Sequence, residues 1–297
     1  MRASVVLAAH DAARSIGRCL EALARQEGIE EAEVIVASSS TDETETIIRE
    51  RFPAVRCLQF DEGLTVSELR GRAIAIAKGE IIAVIDPYSI VQEGWLRELL
   101  RIHAERPELV VGGTVDFADA DSRSLLEWAV YINEYGLFMP PLASGRVALL
   151  PGCNISYKRQ ALFDGDRPRY ASFWKTVANQ DAASSGSGLW LNSEAVVALD
   201  KPVPFGDFLA TRYHHGRCFA AMRGGALAER LGRALSAPLL PLVFLWRWGR
   251  PYLRRSRHPE KLLLTLPLQV LLFGNWSRGE LVGYLFGIGR SGQKLFY

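Results

Sequence analysis

The sequence is poor in cysteine, with four in 297 residues (Cys19, Cys57, Cys153 and Cys218). They stand far apart, with no CxxC pair and no metal-like spacing, so reduced core thiols in a cytoplasmic protein are expected. The amino terminus lacks the apolar core and small-residue cleavage site of a secretory signal, which also points to the cytoplasm. No apolar run of the carboxy-terminal segment reaches the ~18–20 residues a bilayer-spanning helix needs. Excess charge is lacking too: a net +2 makes no global case for nucleic acid. There is no internal repeat and no low-complexity tract. The run after the first apolar segment, AAHDAAR, offers no glycine for close approach to a pyrophosphate. That excludes a nicotinamide-dependent dinucleotide fold.

What remains is the composition of an ordinary folded protein, 48% apolar and 23% charged. The length suits one large α/β domain, or one domain and an appendage. Residues 4–9 (SVVLAA) and 34–37 (VIVA) read as strands buried on both faces, each followed by helical periodicity over 12–26 and 43–51. Asp42 and the serines before it read as a cap of the second helix. A third strand is predicted over 55–60, a helix over 69–77 and a fourth strand over 80–86. A helix over 95–105 and a strand over 110–117 follow. This alternation argues for a mostly parallel, doubly wound sheet. In such sheets ligands sit beyond the carboxyl ends of the strands, which makes Asp86, closing the fourth strand, a candidate site residue.

Five segments, in order over residues 3–225, carry a more specific likeness. SVVLAAHDAARSIGRCLEAL, VIVASSSTDET, LRGRAIAIAKGEIIAVIDPYSIVQEGWL, PGCNISYKRQALF and DFLATRYHHGRCFAAMR resemble successive motifs of family 2 glycosyltransferases. The resemblance implies a GT-A fold over 1–222. It also implies transfer of a sugar, of the hexosyltransferase type, from a UDP- or GDP-linked donor to a cell-envelope or lipid-linked acceptor. The alternative is a degenerate glycosyltransferase-like domain that binds a partner without turnover.

The alternative arises because acidic positions of the family are missing. An acid near the end of strand two usually receives the nucleotide base, and Ala37 and Ser38 stand there. The Asp-x-Asp motif reads Asp86-Pro87-Tyr88. Counting back from Gly186, the Glu-Asp pair that supplies a general base is expected near Trp174-Lys175, neither of which is acidic. The resemblance therefore leaves Asp86 as the one metal-binding and catalytic carboxylate of that motif. Mg²⁺ or Mn²⁺ is either weakly held there or dispensed with, since cationic side chains can replace a metal at a diphosphate. Asp181 is the nearest surviving acid for the general base, or else an exposed helix acid. His10, Asp11, Ser38, Arg70, Asp86 and Tyr88 are expected at the nucleotide-sugar, Tyr88 either as a hydroxyl donor or as a packing aromatic. Asn154, Arg212, His214, His215 and Arg217 are expected at the acceptor or diphosphate; Asn154 alternatively ties down a strand end. The histidines have no carboxylate at ligand spacing, which argues against zinc.

From 223 to 297 the chain turns apolar and basic together. Runs at 236–248, 262–274 and 280–289 flank arginines and interfacial aromatics, the pattern of helices lying on a membrane surface at the inner face of the cell membrane. That placement would suit a polyprenyl-linked acceptor. A buried helical hairpin or a dimer contact would give the same pattern.

Overall fold

The computed structural model describes residues 1–61, 63–201 and 204–294 of the chain. The contacts divide it into two units. The first is Met1–Ala118 with Phe138–Lys201, and the second is Asp119–Leu137 with the described residues of Pro202–Tyr297.

The first unit holds a nine-stranded sheet. Its strands are β1 (Ala3–Ala9), β2 (Ala32–Ser38), β3 (Arg56–Gln59), β4 (Ile81–Ile85), β5 (Ser89–Val91), β6 (Val110–Phe117), β7 (Gly145–Val147), β8 (Asn154–Lys158) and β11 (Leu189–Leu199). Two short strands, β9 (Phe163–Asp164) and β10 (Arg167–Pro168), pair separately. The order is β3-β2-β1-β4-β8-β6-β11-β5, with β7 on β11. The amino-terminal half is parallel, as the strand–helix alternation predicts. The other half is mixed, because β8 runs antiparallel between β4 and β6 and β5 runs antiparallel to β11. Sequence pattern identifies β8 as a strand but carries no information on its direction. Every residue of β1 is buried, since it has a parallel neighbour on each side and helices over its faces.

In this arrangement the carboxyl ends of β1, β2 and β4 lie along one edge, and antiparallel β8 begins there, Asn154 opposite Ile85. The helix Val66–Ala75 opens with a reciprocal cap between Thr65 and Glu68 and packs Leu69, Ala73 and Ile74 into the core. Its Gly71 lets another segment lie on the helix backbone, because a Cβ there would stand 2.2 Å from the Ala171 carbonyl oxygen. The Phe173 N–H donates to Ser67 O at 2.7 Å, and Ser172 Oγ donates to Ser67 Oγ at 3.0 Å. The segment just before Lys175 is thus fastened to the helix that carries Arg70.

The second unit is helical. Phe208 on the helix Phe205–Arg223 packs with Ala129 and Val130 of the helix Leu125–Tyr135 and with Leu272. Composition alone sets the boundary after 222, whereas these contacts gather 205–223 with the carboxy-terminal helices. The runs at 262–274 and 280–289 do not stay separate: 266–286 forms one helix, Leu266–Phe286, with Pro267 in its first turn. This helix lies against Phe205–Arg223 through small residues. A Cβ on Gly279 would meet Tyr213 O at 2.1 Å, and one on Gly216 would meet Trp276 O at 2.2 Å. Glycines that look like helix breakers in the sequence are here the contact points of two backbones. Among the described residues no helix is long and apolar enough to cross a membrane. The four cysteines are free, three of them buried.

Candidate active site

Asp86 follows directly on β4 and is 5% exposed. Its Oδ1 accepts from Arg70 Nη2 at 2.6 Å and from Lys175 Nζ at 3.4 Å, and its Oδ2 accepts from Tyr88 Oη at 3.0 Å. Burial works to raise the Asp86 carboxyl, but attraction from Lys175, Arg70 and Lys201 outweighs it and holds the group well below the usual carboxylate range. Lys175 is pushed down to about 8, first by burial and then by repulsion from Arg70, with Asp86 acting in the opposite sense. Lys201 comes from the other side. β5 pairs with the end of β11, Leu199 opposite Ser89, and the Lys201 ammonium stands 4.9 Å from the centre of the Tyr88 ring. Arg70, Tyr88 and Asp86, singled out in the sequence, are therefore together. Lys175 and Lys201 are the members that sequence reasoning missed. Lys175 was in view only as a place where an acid is absent, and its charge was the signal left unread.

His10, Asp11 and Ser38 lie at the ends of β1 and β2 on the same edge. His10 Nδ1 is 3.1 Å from Ser39 O. Asp11, at φ 46°, accepts from the Thr41 N–H at 2.8 Å, and this bond is the main cause of its lowered carboxyl pKa. Ser38 Oγ donates to Ser40 Oγ at 2.9 Å. The two loops are thereby laced to each other. Asp42 accepts from the Thr44 N–H at 3.0 Å and from the Ala13 N–H at 3.0 Å. The N-cap position of the helix Thr44–Arg51 is Glu43, whose side chain does not cap it, so Asp42 ties the two loops rather than capping the helix.

Asn154 is wholly buried in scaffold. It accepts from Trp95 Nε1 at 2.9 Å and donates to Thr114 O and Ala195 O, each at 2.8 Å. It pins three elements at the strand end, the second of the two roles its sequence allowed. Asp181 sits on the exposed side of the helix Lys175–Ser184, where its carboxylate accepts from Tyr170 Oη at 2.6 Å. Burial, then this bond, pushes the Tyr170 hydroxyl up to about 12. Six residues separate Asp181 from Lys175, roughly 9 Å along the helix and on a different side of it.

The basic run of the second unit divides. Arg212 is buried between Phe208 and Trp276, donates to Asn133 Oδ1 at 3.2 Å, and has an Nη2–His215 Nδ1 distance of 2.7 Å. His214 Nδ1 lies 3.0 Å from Ser291 Oγ, and Arg217 Nε donates to Gly287 O at 2.8 Å. The i, i+3 pairing joins Arg212 to His215, but the four side chains do not converge on one anion site.

Residues 4–162 match glycosyl transferase family 2, and the chain belongs to that family. A curated relative, the succinoglycan biosynthesis protein ExoO of Rhizobium meliloti, is 31% identical over 122 residues. That match spans 40% of this chain and only 35% of the relative, about a third of its length. Among solved structures, S. aureus TarS 1-349 in complex with UDP-GlcNAc is similar at a TM-score of 0.55 and 15% identity, over 95% of this chain and 91% of that one. The mannosyltransferase PcManGT of Pyrobaculum calidifontis, in complex with GDP-Man and Mn²⁺, is similar at 0.54 and 16%, over 92% and 85%. At these identities the likeness is one of fold, the GT-A type.

The family's divalent cation does not fit the residues around Asp86. Among the described residues no three His, Cys, Asp or Glu side chains gather where an ion would be held. Asp86 Oδ1 already faces two cations. At about 4 Å and an effective dielectric of 20, two unit charges interact by about 4 kcal/mol, and a dication doubles that. One carboxylate attracts such an ion, while Arg70 and Lys175, 2.6 and 3.4 Å from that same carboxylate, both repel it. Repulsion wins.

Proposed function

We propose that the chain is a glycosyltransferase of the hexosyltransferase type, which moves a sugar from a UDP- or GDP-linked donor to a cell-envelope acceptor, polyprenyl-linked in our reading. The observation that carries it is the cationic cluster around Asp86 at the carboxyl end of β4, in a chain of family 2. Sugar transfer leaves negative charge on the departing diphosphate, and fixed positive charge in a buried site stabilises that charge where it develops. His10, Asp11 and Ser38 are assigned to the nucleoside, on the loops laced beyond β1 and β2. Asp181, the carboxylate of the helix that Lys175 opens, is assigned the proton of the acceptor hydroxyl.

We place the chain peripherally on the inner face of the cell membrane. Leu235, Leu239, Leu242 and Trp246 are 82%, 60%, 68% and 69% exposed. They recur at i, i+4, i+7 and i+11 through consecutive helical turns from Leu227 to Arg255, a continuous apolar stripe. Exposed Arg247, Arg250 and Arg254 stand among them, suited to anionic headgroups.

Purified chain incubated with a panel of UDP- and GDP-sugars, with and without membrane lipid extract, is expected to release nucleoside diphosphate from one donor. If no donor is bound or hydrolysed under any condition, the chain is instead the degenerate, partner-binding form.

A further inference from the structure

We infer that Lys175 takes the place of the divalent cation, so that Arg70, Lys175 and Lys201 receive the donor diphosphate directly and Asp86 is their buried counter-ion. This rests on the nucleotide-sugar reading above and gives its site a different chemistry.

Charge balance is the first ground. Arg70 and Lys175 both lie on the single Asp86 carboxylate, which leaves this trio with a net positive charge. The bridging diphosphate of a nucleotide-sugar carries two negative charges. Hydrogen bonding is the second. Both Asp86 oxygens are already engaged, by Arg70 and Lys175 on one and Tyr88 on the other. Arg70 Nε, by contrast, is buried with no partner among the described residues, so the guanidinium keeps an unmet donor.

The third ground is that the lysine is built in. It is the first residue of the helix Lys175–Ser184, where positive charge opposes the helix dipole. Its side chain is only 12% exposed. It is held there by the segment that Gly71 and Ser67 bind against the Arg70 helix, and its methylenes pass close to Gly152, where a Cβ would meet Lys175 Cδ at 3.3 Å. A surface lysine would be held by none of these. Desolvation and an unfavourable dipole position are both accepted in order to put an ammonium 3.4 Å from Asp86.

The test is calorimetric titration of the full chain with UDP, GDP and inorganic pyrophosphate, once in EDTA and once in Mn²⁺. Affinity in EDTA is expected within about twofold of that in Mn²⁺. Lys175→Met is expected to weaken binding at least ~10-fold in both buffers, and Lys175→Arg to recover most of it, with thermal melts reporting that each variant is folded. Binding by the wild-type chain that requires Mn²⁺ overturns the inference and leaves the nucleotide-sugar reading standing. So does a folded Lys175→Met chain that binds as the wild type does. Absence of binding by every diphosphate in both buffers sinks both.

Discussion

Lys175 Nζ lies 3.4 Å from Asp86 Oδ1, the same oxygen that Arg70 holds at 2.6 Å. The resemblance to family 2 expects a base near Lys175 and a metal ligand at Asp86. The fold brings the two into contact. Positions 89 residues apart in the sequence meet in space as part of one cation–acid–cation cluster.

Removal of Asp86 would therefore leave two buried cations facing each other. Asp86→Ala is expected to destabilise the chain by about 3 kcal/mol, the scale for breaking a buried pair from one side. Urea denaturation followed by tryptophan fluorescence measures it. A loss below about 0.5 kcal/mol, within the range of ordinary surface substitutions, would mean the cluster is solvated and its charges uncoupled.

Asp181 is the residue to change for the proton transfer. Asp181→Asn keeps the acceptor oxygen that Tyr170 uses but removes the basicity. Transfer should fall ~10²-fold or more while donor affinity stays within about twofold. Equal turnover by the variant and the wild-type chain would reduce Asp181 to a surface partner of Tyr170.

Acid should weaken the first unit through His103. This side chain is buried, with Nε2 2.8 Å from Ser156 Oγ. Ser156 Oγ itself donates to Val111 O, so Nε2 is the ring nitrogen that carries a hydrogen toward it. Burial first, then the charge of Lys158, pushes its pKa down to about 3. The unfolded chain, with an ordinary histidine near 6.5, takes up the proton first as pH falls. Stability contributed by the neutral ring is thus complete above pH ~6.5 and is lost progressively toward pH ~3, by about 4 kcal/mol at most. His103→Gln should flatten that limb of a stability–pH curve measured by urea denaturation, and an unchanged limb would assign the acid sensitivity elsewhere.

The exposed stripe calls for vesicles. The chain should float with vesicles rich in anionic lipid, less with neutral ones, and less again in high salt. A Leu239→Ser, Leu242→Ser, Trp246→Ser triple variant should lose most of the flotation. Binding unaffected by the triple variant would point to another surface.

In the parallel half of the sheet, β1, β2 and β4 could be read from the sequence because each is a short apolar run, whereas β3 (RCLQ) is polar at both ends. Asp86 was legible for the same reason, as the first acid beyond such a run. Lys175 was not. Its role depends on Gly71 allowing a distant segment onto the Arg70 helix, a close backbone approach that leaves no periodic trace. The late basic run misled in the opposite way. Arg212 and His215 have the spacing of an anion site, but aromatic rings from Phe208 and Trp276 enclose the guanidinium. In the second unit, Gly279 and Gly283 are the points at which two helices touch, a role that the apolar runs alone do not reveal.

An ion must be collected from solution, and every metalloenzyme in the cell draws on the same supply. An ammonium on the first turn of a helix is made by the ribosome along with the rest of the site, one per molecule. A chain built this way would keep its pace through manganese starvation or a rise in chelating metabolites. Its spent nucleotide would also leave without carrying an ion away.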